Sequence, residues 1–172
     1  ILIGEMRDLE TAEIAIKASL TGHFVMSTLH TNDAASSVTR LLDMGIEPYL
    51  INSTLVGILA QRLIRKICPD CKVEDTENQH IRKYFQLDAS SKFYRGAGCN
   101  ECKQSGYRGR IMVGELIEVT SELKTFISER ASAEDLRQQS IADGMMPLTQ
   151  NAIDMAQQGI CSLEDVFAVK LE

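Results

Sequence analysis

The sequence predicts an α/β protein with a short cysteine-rich insertion and a helical C-terminal part. Apolar runs at residues 1–3 and 23–29 each end in polar residues, and the segments that follow carry apolar residues at helical spacing. Strand, helix, strand and helix joined by short polar loops are typical of a layered sheet with parallel strands. Ligands of such sheets bind at the carboxyl ends of the strands, where Glu5 and His30 lie.

The first two helices have recognisable start and stop signals. One helix is predicted over residues 9–20, because Thr21-Gly22 ends its apolar pattern. Asn32 or Asp33 is a suitable N-cap for the second helix, which is expected to run through residue 43.

The middle of the chain is predicted to contain a third helix and a two-stranded ribbon. Pro48 restarts the chain, and a largely apolar helix is expected from about residue 50 to residue 60. If residues 61–67 form a strand that pairs with a strand at 110–119, the cysteine-rich segment is an insertion at the tip of this ribbon. A short helical pattern covers residues 80–85.

The C-terminal part is predicted to be helical. Pro147 is expected to begin one helix and Gly159 to end it. Side chains that can cap the other helices occur at three positions, Ser121, Ser132 (paired with Asp135) and Ser162.

Length and charge limit the function classes. The 172 residues, 44% of them hydrophobic, suffice for one domain or for a domain with an appendage. The net charge of -6 argues against nucleic acid as the main partner, because phosphate binding draws on clustered Lys and Arg. No signal peptide and no apolar run of roughly 20 residues is found, so we expect a soluble, cytoplasmic protein. The chain opens on apolar residues without an initiator Met, and we expect it to be the later part of a longer protein.

Two Cys-x-x-Cys pairs predict a zinc site. Cys68 and Cys71 are separated from Cys99 and Cys102 by 27 residues, and four thiolates form the tetrahedral set that a structural zinc prefers. Such a closed site stabilises a fold and leaves no open position for catalysis. Metal-free thiols and an opportunistic disulfide are the alternatives. The fifth cysteine, Cys161, is expected to be a buried thiol.

Polar side chains at the ends of the first two strands are the candidates for catalysis. Glu5 could polarise a water or help to hold a magnesium ion against nucleotide phosphates, or it could be an ordinary loop residue. Asp8 has the same ambiguity, with an N-cap of the first helix as its structural alternative. His30 could donate to a terminal phosphate while Thr28 and Thr31 orient its ring, or it could be a hydrogen-bonded structural histidine.

Six basic residues flank the cysteine pairs. They could contact an acidic partner or an anionic lipid surface, but a solvated face of the ribbon is the favoured interpretation. These residues are Arg62, Arg65, Lys66, Lys103, Arg108 and Arg110.

Five short strings occur in order along the chain: ILIGEMRDLET at 1–11, LTGH at 20–23, STLHTN at 27–32, LDMG at 42–45 and AQRL at 60–63. Together with the four cysteines they resemble the type II secretion and type IV pilus assembly ATPases, hexameric secretion motors of the additional-strand P-loop class. The resemblance spans essentially the whole chain. It implies the C-terminal part of a RecA-like P-loop ATPase domain with a tetracysteine zinc insertion and a helical tail.

The resemblance also implies roles for individual residues. Glu5 matches the glutamate of the family's Walker B strand, which acts near the attacking water and magnesium, and His30 matches the histidine box near the γ-phosphate. The residues near the nucleotide and magnesium would be Gly4, Asp8, Thr28 and Thr31. The implied cofactors are a structural Zn²⁺ together with Mg²⁺ and ATP in the full-length protein.

The biological setting follows from the same resemblance. It implies a homo-hexameric cytoplasmic ATPase, peripheral at the inner membrane through secretion or pilus platform proteins, that drives type II secretion or type IV pilus assembly. The family's phosphate loop and arginine fingers are absent from these 172 residues, so this segment alone is expected to be inactive. We predict an ATPase part at 1–67, a zinc-binding insertion at 68–102, and a ribbon strand with a helical subdomain at 103–172.

Two other functions are compatible with parts of the sequence. The segment could be a zinc-dependent protein-docking module without a catalytic role. The cysteine pairs could also form a nucleic-acid-binding zinc ribbon, which the acidic charge and the few aromatic residues argue against.

Overall fold

The computed structural model describes the backbone of residues 1–171 and the side chains of residues 1–170, and it has an α/β architecture. The helices are α1 (Leu9–Leu20), α2 (Ala34–Asp43), α3 (Pro48–Thr54), α4 (Gln79–Tyr84), α5 (Ser121–Ser128), α6 (Ala133–Ala142), α7 (Leu148–Gln157) and α8 (Leu163–Leu171). The strands are β1 (Gly57–Ile67), β2 (Lys72–Glu74), β3 (Tyr94–Gly96) and β4 (Tyr107–Glu118), and a 3₁₀ turn covers Pro69–Cys71.

The chain divides into two compact units. Unit 1 comprises Ile1–Ala60 and Glu115–Met145, and unit 2 comprises Gln61–Gly114 and the chain from Met146 on. Strands β1 and β4 therefore contribute residues to both units. The boundaries that the sequence suggests after residues 67 and 102 stay a prediction.

The first two apolar runs of unit 1 lie side by side in parallel, but only an isolated bridge joins them. The strands predicted at residues 1–3 and 23–29, and the parallel sheet built from them, are therefore not formed. Leu2 and Met26 form a parallel bridge. The Ile3 N–H donates to the Met26 carbonyl at 2.9 Å, and the Met6 N–H donates to the Thr28 carbonyl at 3.0 Å. These bonds bring the carboxyl ends of the two runs to the same edge.

Side-chain caps define where α1 and α2 begin. The Asp8 carboxylate accepts from the Thr11 N–H at 2.8 Å, and the Asp33 carboxylate accepts from the Ser36 N–H at 2.7 Å. Both helices have their predicted bounds, because the sequence supplies an oxygen acceptor for N–H groups that have no partner within a helix.

Two details of the predicted helices are wrong. Helix α5 is capped by Thr120, whose hydroxyl accepts from the Leu123 N–H at 3.1 Å, and not by Ser121. The helix expected over about 50–60 ends at Thr54, and the chain enters β1 at Gly57. A Cβ at Gly57 would lie 3.0 Å from the Ile117 carbonyl oxygen, so the glycine permits close approach of the paired strand.

Strands β1 and β4 form the predicted ribbon. The Val119 N–H donates to the Val56 carbonyl at one end, and the Cys68 N–H donates to the Gly106 carbonyl at the other. This pattern makes the two strands antiparallel, and the segment between them carries the cysteines. Within that segment β2 pairs with β3 antiparallel.

Each unit has its own apolar core. In unit 1, residues of α2, α5 and α6 pack with the buried Ile51 and Ile117. In unit 2, the buried Ile81 and Phe93 of the cysteine-rich segment pack with residues of α7 and α8. The polar cysteine-rich segment thus shares a core with the last two helices.

Within the described part of the chain, every helix is too short or too polar to cross a lipid bilayer.

Candidate functional site

Glu5 and His30 meet where the first two parallel runs end. The His30 Nε2 atom lies 3.0 Å from the Glu5 Oε1 atom. The Glu5 side chain is 20% exposed, whereas the His30 ring is 85% exposed. The sequence placed both side chains at the carboxyl ends of neighbouring runs, and the structure brings them into contact there.

Arg7 completes this cluster and was not assigned a role from the sequence. Its Nε–H donates to the Glu5 Oε2 atom at 2.6 Å, while its own side chain is 76% exposed. Both oxygens of the Glu5 carboxylate are therefore engaged, one by an imidazole and one by a guanidinium. The available signal was the spacing, since Arg7 follows Glu5 by two residues in the same polar loop.

The two threonines beside His30 do not have the expected partners. The Thr28 hydroxyl donates to the Gly4 carbonyl at 2.6 Å. The Thr31 hydroxyl lies 2.7 Å from the hydroxyl of Ser37 in α2. Thr28 thus joins the two parallel runs and Thr31 ties the loop to α2, so they fix the backbone around the imidazole and not its ring.

Asp8 has the structural role that the sequence offered as the alternative to catalysis: it is the N-cap of α1. The Thr11 backbone N–H that it accepts lowers the pKa of the Asp8 carboxyl. The carboxylate is therefore ionised at neutral pH and oriented toward the helix.

The four paired cysteines converge in unit 2. All four sulfur atoms lie within 4.8 Å of one another. Three separations are 3.9 Å for Cys68 to Cys99, 3.9 Å for Cys71 to Cys102 and 3.7 Å for Cys99 to Cys102. Four sulfurs at about 2.3 Å from a tetrahedral zinc ion lie about 3.8 Å apart. The cluster therefore has the size of a tetrathiolate metal site, and its cysteines are free thiols, not a disulfide.

Backbone N–H groups point at two of these sulfurs. Cys102 Sγ accepts from the N–H groups of Cys99 and Gly106, both at 3.2 Å, and Cys71 Sγ accepts from the Gly98 N–H at 3.3 Å. Burial raises the pKa of Cys102, but the two N–H donors together with the hydrogen-bonded thiols of Cys99 and Cys71 outweigh it and lower that pKa to about 6. Burial raises the pKa of Cys68 to about 12. The loops thus favour a thiolate at Cys102, the form that binds a metal.

Part of the basic cluster is used within unit 2. Arg65 donates to the buried Asp165 at 2.8 Å and lies 3.8 Å above the ring of Tyr107. Arg108 lies 3.4 Å from Asp70. These two arginines therefore neutralise carboxylates of their own unit. The Cys161 side chain is fully buried, as expected.

Comparison with known proteins shows the family of this chain. The chain matches the family described as "Type II/IV secretion system protein" over residues 1–168, and it belongs to this family. It is 48% identical to the type II secretion system ATPase E of Vibrio cholerae over 100% of this chain and 34% of that protein. It is 42% identical to the type IV pilus assembly ATPase PilB of Thermus thermophilus over 100% of this chain and 20% of that protein. The chain thus spans about a third or less of the length of these relatives.

Solved structures show the same fold. The pilus retraction motor PilT with bound ADP superposes with a TM-score of 0.66 at 27% identity, covering 98% of this chain and 38% of that chain. The Legionella pneumophila ATPase DotB superposes with a TM-score of 0.65 at 20% identity, covering 99% of this chain and 38% of that chain, and supports the fold alone.

Proposed function

We propose that this chain is the C-terminal part of a hexameric cytoplasmic ATPase that hydrolyses ATP to ADP and phosphate to drive type II protein secretion or type IV pilus assembly. The observation that carries the proposal is the 3.0 Å contact between Glu5 and His30 at the ends of two parallel runs. A carboxylate and an exposed imidazole at the shared carboxyl end of two parallel runs suit a nucleotide terminus, because ligands of parallel strands bind at this end. The family membership and the ATPase names of the relatives support the same conclusion.

The reaction would depend on positioning and charge, since phosphoryl transfer passes through a loose transition state. Glu5 would orient the attacking water and accept a hydrogen bond from it. Each Glu5 oxygen has one contact, with Arg7 or with His30, and can accept a second hydrogen bond from the attacking water. The exposed His30 ring would turn toward the γ-phosphate.

The surrounding residues fit a magnesium-nucleotide ligand. Gly4 and Thr28, which are hydrogen-bonded to each other, would lie beside the phosphates together with Thr31. Asp8 would face them while it caps α1. Magnesium, when bound with the nucleotide, supplies charge neutralisation of the phosphate oxygens. The phosphate loop and arginine fingers would come from other parts of the protein, and the segment alone is expected to be inactive.

The decisive experiment replaces Glu5 in the full-length protein. Glu5→Gln keeps the size of the side chain and removes its charge, and we expect ATP turnover to fall by about 100-fold or more while the oligomer still assembles. Glu10→Gln, an exposed change in the first turn of α1, is the matched control and should keep normal turnover. Near-normal turnover of Glu5→Gln would contradict the proposed role.

The tetrathiolate cluster is proposed to bind a structural zinc ion through Cys68, Cys71, Cys99 and Cys102. Its sulfur separations of 3.7 to 3.9 Å fit this ion. One zinc per chain by metal analysis is the expected result, and its absence from protein purified without chelator would reject the site.

A second function is favoured by the closed geometry of the cluster. Unit 2, stabilised by the zinc ion, would then bind inner-membrane platform proteins, either as part of the motor or as a module without a catalytic role. Chelation of the full-length protein separates these possibilities. If hydrolysis survives while binding to the platform is lost, the unit is a docking element; if hydrolysis also falls, it supports subunit packing.

A further inference from the structure

Glu115 is a buried carboxylate that the proposed reaction does not use. Glu115 is 2% exposed. Val113 and Ile117, two positions away on either side in β4, are buried apolar residues. A carboxylate at such a position lowers stability unless its charge is paired and hydrogen-bonded. The groups that pair with the Glu115 carboxylate therefore indicate its structural role.

Glu115 connects the first turn of α2 with α6. Its Oε1 atom accepts a hydrogen bond from the Ala34 N–H at 2.9 Å, and its Oε2 atom lies 3.6 Å from the Arg137 guanidinium. The first N–H of a helix has no partner within the helix, and Ala34 is fully buried. The carboxylate supplies the acceptor for this N–H, and the positive end of the helix dipole favours its charge.

The first turn of α2 in turn holds the loop that carries His30. Ala34 follows His30 by only four residues. Asp33 caps the same turn, and the Thr31 hydroxyl is tied to Ser37 one turn further on. A displacement of this helix start would therefore be transmitted to the imidazole through a short, tethered segment.

We propose that Glu115 is a positioning residue, which fixes the start of α2 and thereby sets the His30 ring against Glu5. The Arg137 guanidinium lies 3.6 Å from the Glu115 carboxylate and pairs with its charge in the core. The effect of Glu115 on turnover rests on the proposed ATPase function, whereas its effect on the α2 start rests on the contacts alone.

Hydrogen exchange measured by mass spectrometry on the full-length protein tests the structural step. Glu115→Ala is expected to speed exchange of the amides in residues 30–37 by roughly 10-fold, because a charge-assisted bond is lost, and to leave α7 unchanged. Glu118→Ala, on the exposed face of the same strand, is the matched control. Should Glu115→Ala fail to fold, Glu115→Gln, which keeps an acceptor but loses the charge, is expected to give a smaller increase. Wild-type exchange at residues 30–37 in the folded variant overturns the proposal.

Steady-state kinetics then test whether Glu115 acts through His30. Glu115→Gln should lower kcat roughly 10-fold and change KM for ATP less than about 2-fold. In a His30→Gln background the same change should have an effect below about 2-fold, because the route through the imidazole is already lost. A full 10-fold loss in that background overturns the proposal. If the wild-type protein does not hydrolyse ATP, the proposed function fails, and the exchange experiment still decides the role of Glu115 at α2.

Discussion

Gly96 is predicted to strengthen metal binding although it supplies no ligand. A Cβ at this position would lie 2.5 Å from both the Cα and the carbonyl carbon of Gly106, and closer still to its carbonyl oxygen. Since Cβ contacts below 3.0 Å are essentially never seen, Gly96→Ala must move the Gly106 carbonyl oxygen away by at least about 1 Å. Backbone atoms cannot turn aside as a flexible side chain can.

The displaced Gly106 holds two of the four cysteines. Its carbonyl accepts from the Cys68 N–H at 2.9 Å, and its N–H donates to Cys102 Sγ at 3.2 Å. Weakening both bonds and straining the loops should cost about 2 kcal/mol, which corresponds to about 30-fold weaker zinc binding.

Competition with a chromophoric zinc chelator measures this effect in the full-length protein. Gly109→Ala is the matched control: its φ of +78° also disfavours alanine, but its Cβ would meet no atom within 4 Å. We expect a conformational penalty of about 1 kcal/mol without loss of zinc affinity. Unchanged affinity in Gly96→Ala, or an equal loss in Gly109→Ala, would refute the reasoning.

Two further predictions concern unit 2. Burial raises the pKa of Cys161 to about 12, whereas the pKa of Cys102 is about 6. Brief alkylation of chelator-treated protein at pH 7 should therefore label Cys102 well before Cys161. Equal labelling rates, measured by mass spectrometry, would disprove this order. Phe93→Ala removes a fully buried ring and should lower the free energy of unfolding, measured by denaturant titration, by about 3 to 5 kcal/mol. The control Leu63→Ala changes a 67% exposed position and should lower it by less than about 1 kcal/mol. A small loss for Phe93→Ala would show that the cysteine-rich segment does not share the helical core.

Local chemistry made α1 and α2 predictable. Asp8 and Asp33 accept N–H groups three residues later, and such caps are visible in a sequence. The start of β1 was missed because the run at 57–60 is apolar on both faces: Leu59 is 53% exposed, although it is apolar. Without alternation, a short apolar run does not distinguish a strand from a helix.

The candidate site was predictable only in part for the same kind of reason. Glu5 and His30 follow apolar runs, so parallel pairing alone brings them together. The partner of Ala34 is Glu115, 81 residues away, and no local pattern identifies such a pair. The signal that existed was a carboxylate between two core positions, Val113 and Ile117, which indicates a buried charge with a specific partner.

The discontinuity of unit 1 has a consequence for how the chain is made. Residues 1–60 are synthesised before the rest of unit 1. Glu115, the acceptor for the Ala34 N–H, is added 81 residues after Ala34. Until then the start of α2 lacks the carboxylate of Glu115. Contacts between residues so far apart in the sequence also form slowly. Residues 1–60 therefore stay incompletely ordered until β4 is translated, and in that interval they are exposed to proteases and chaperones.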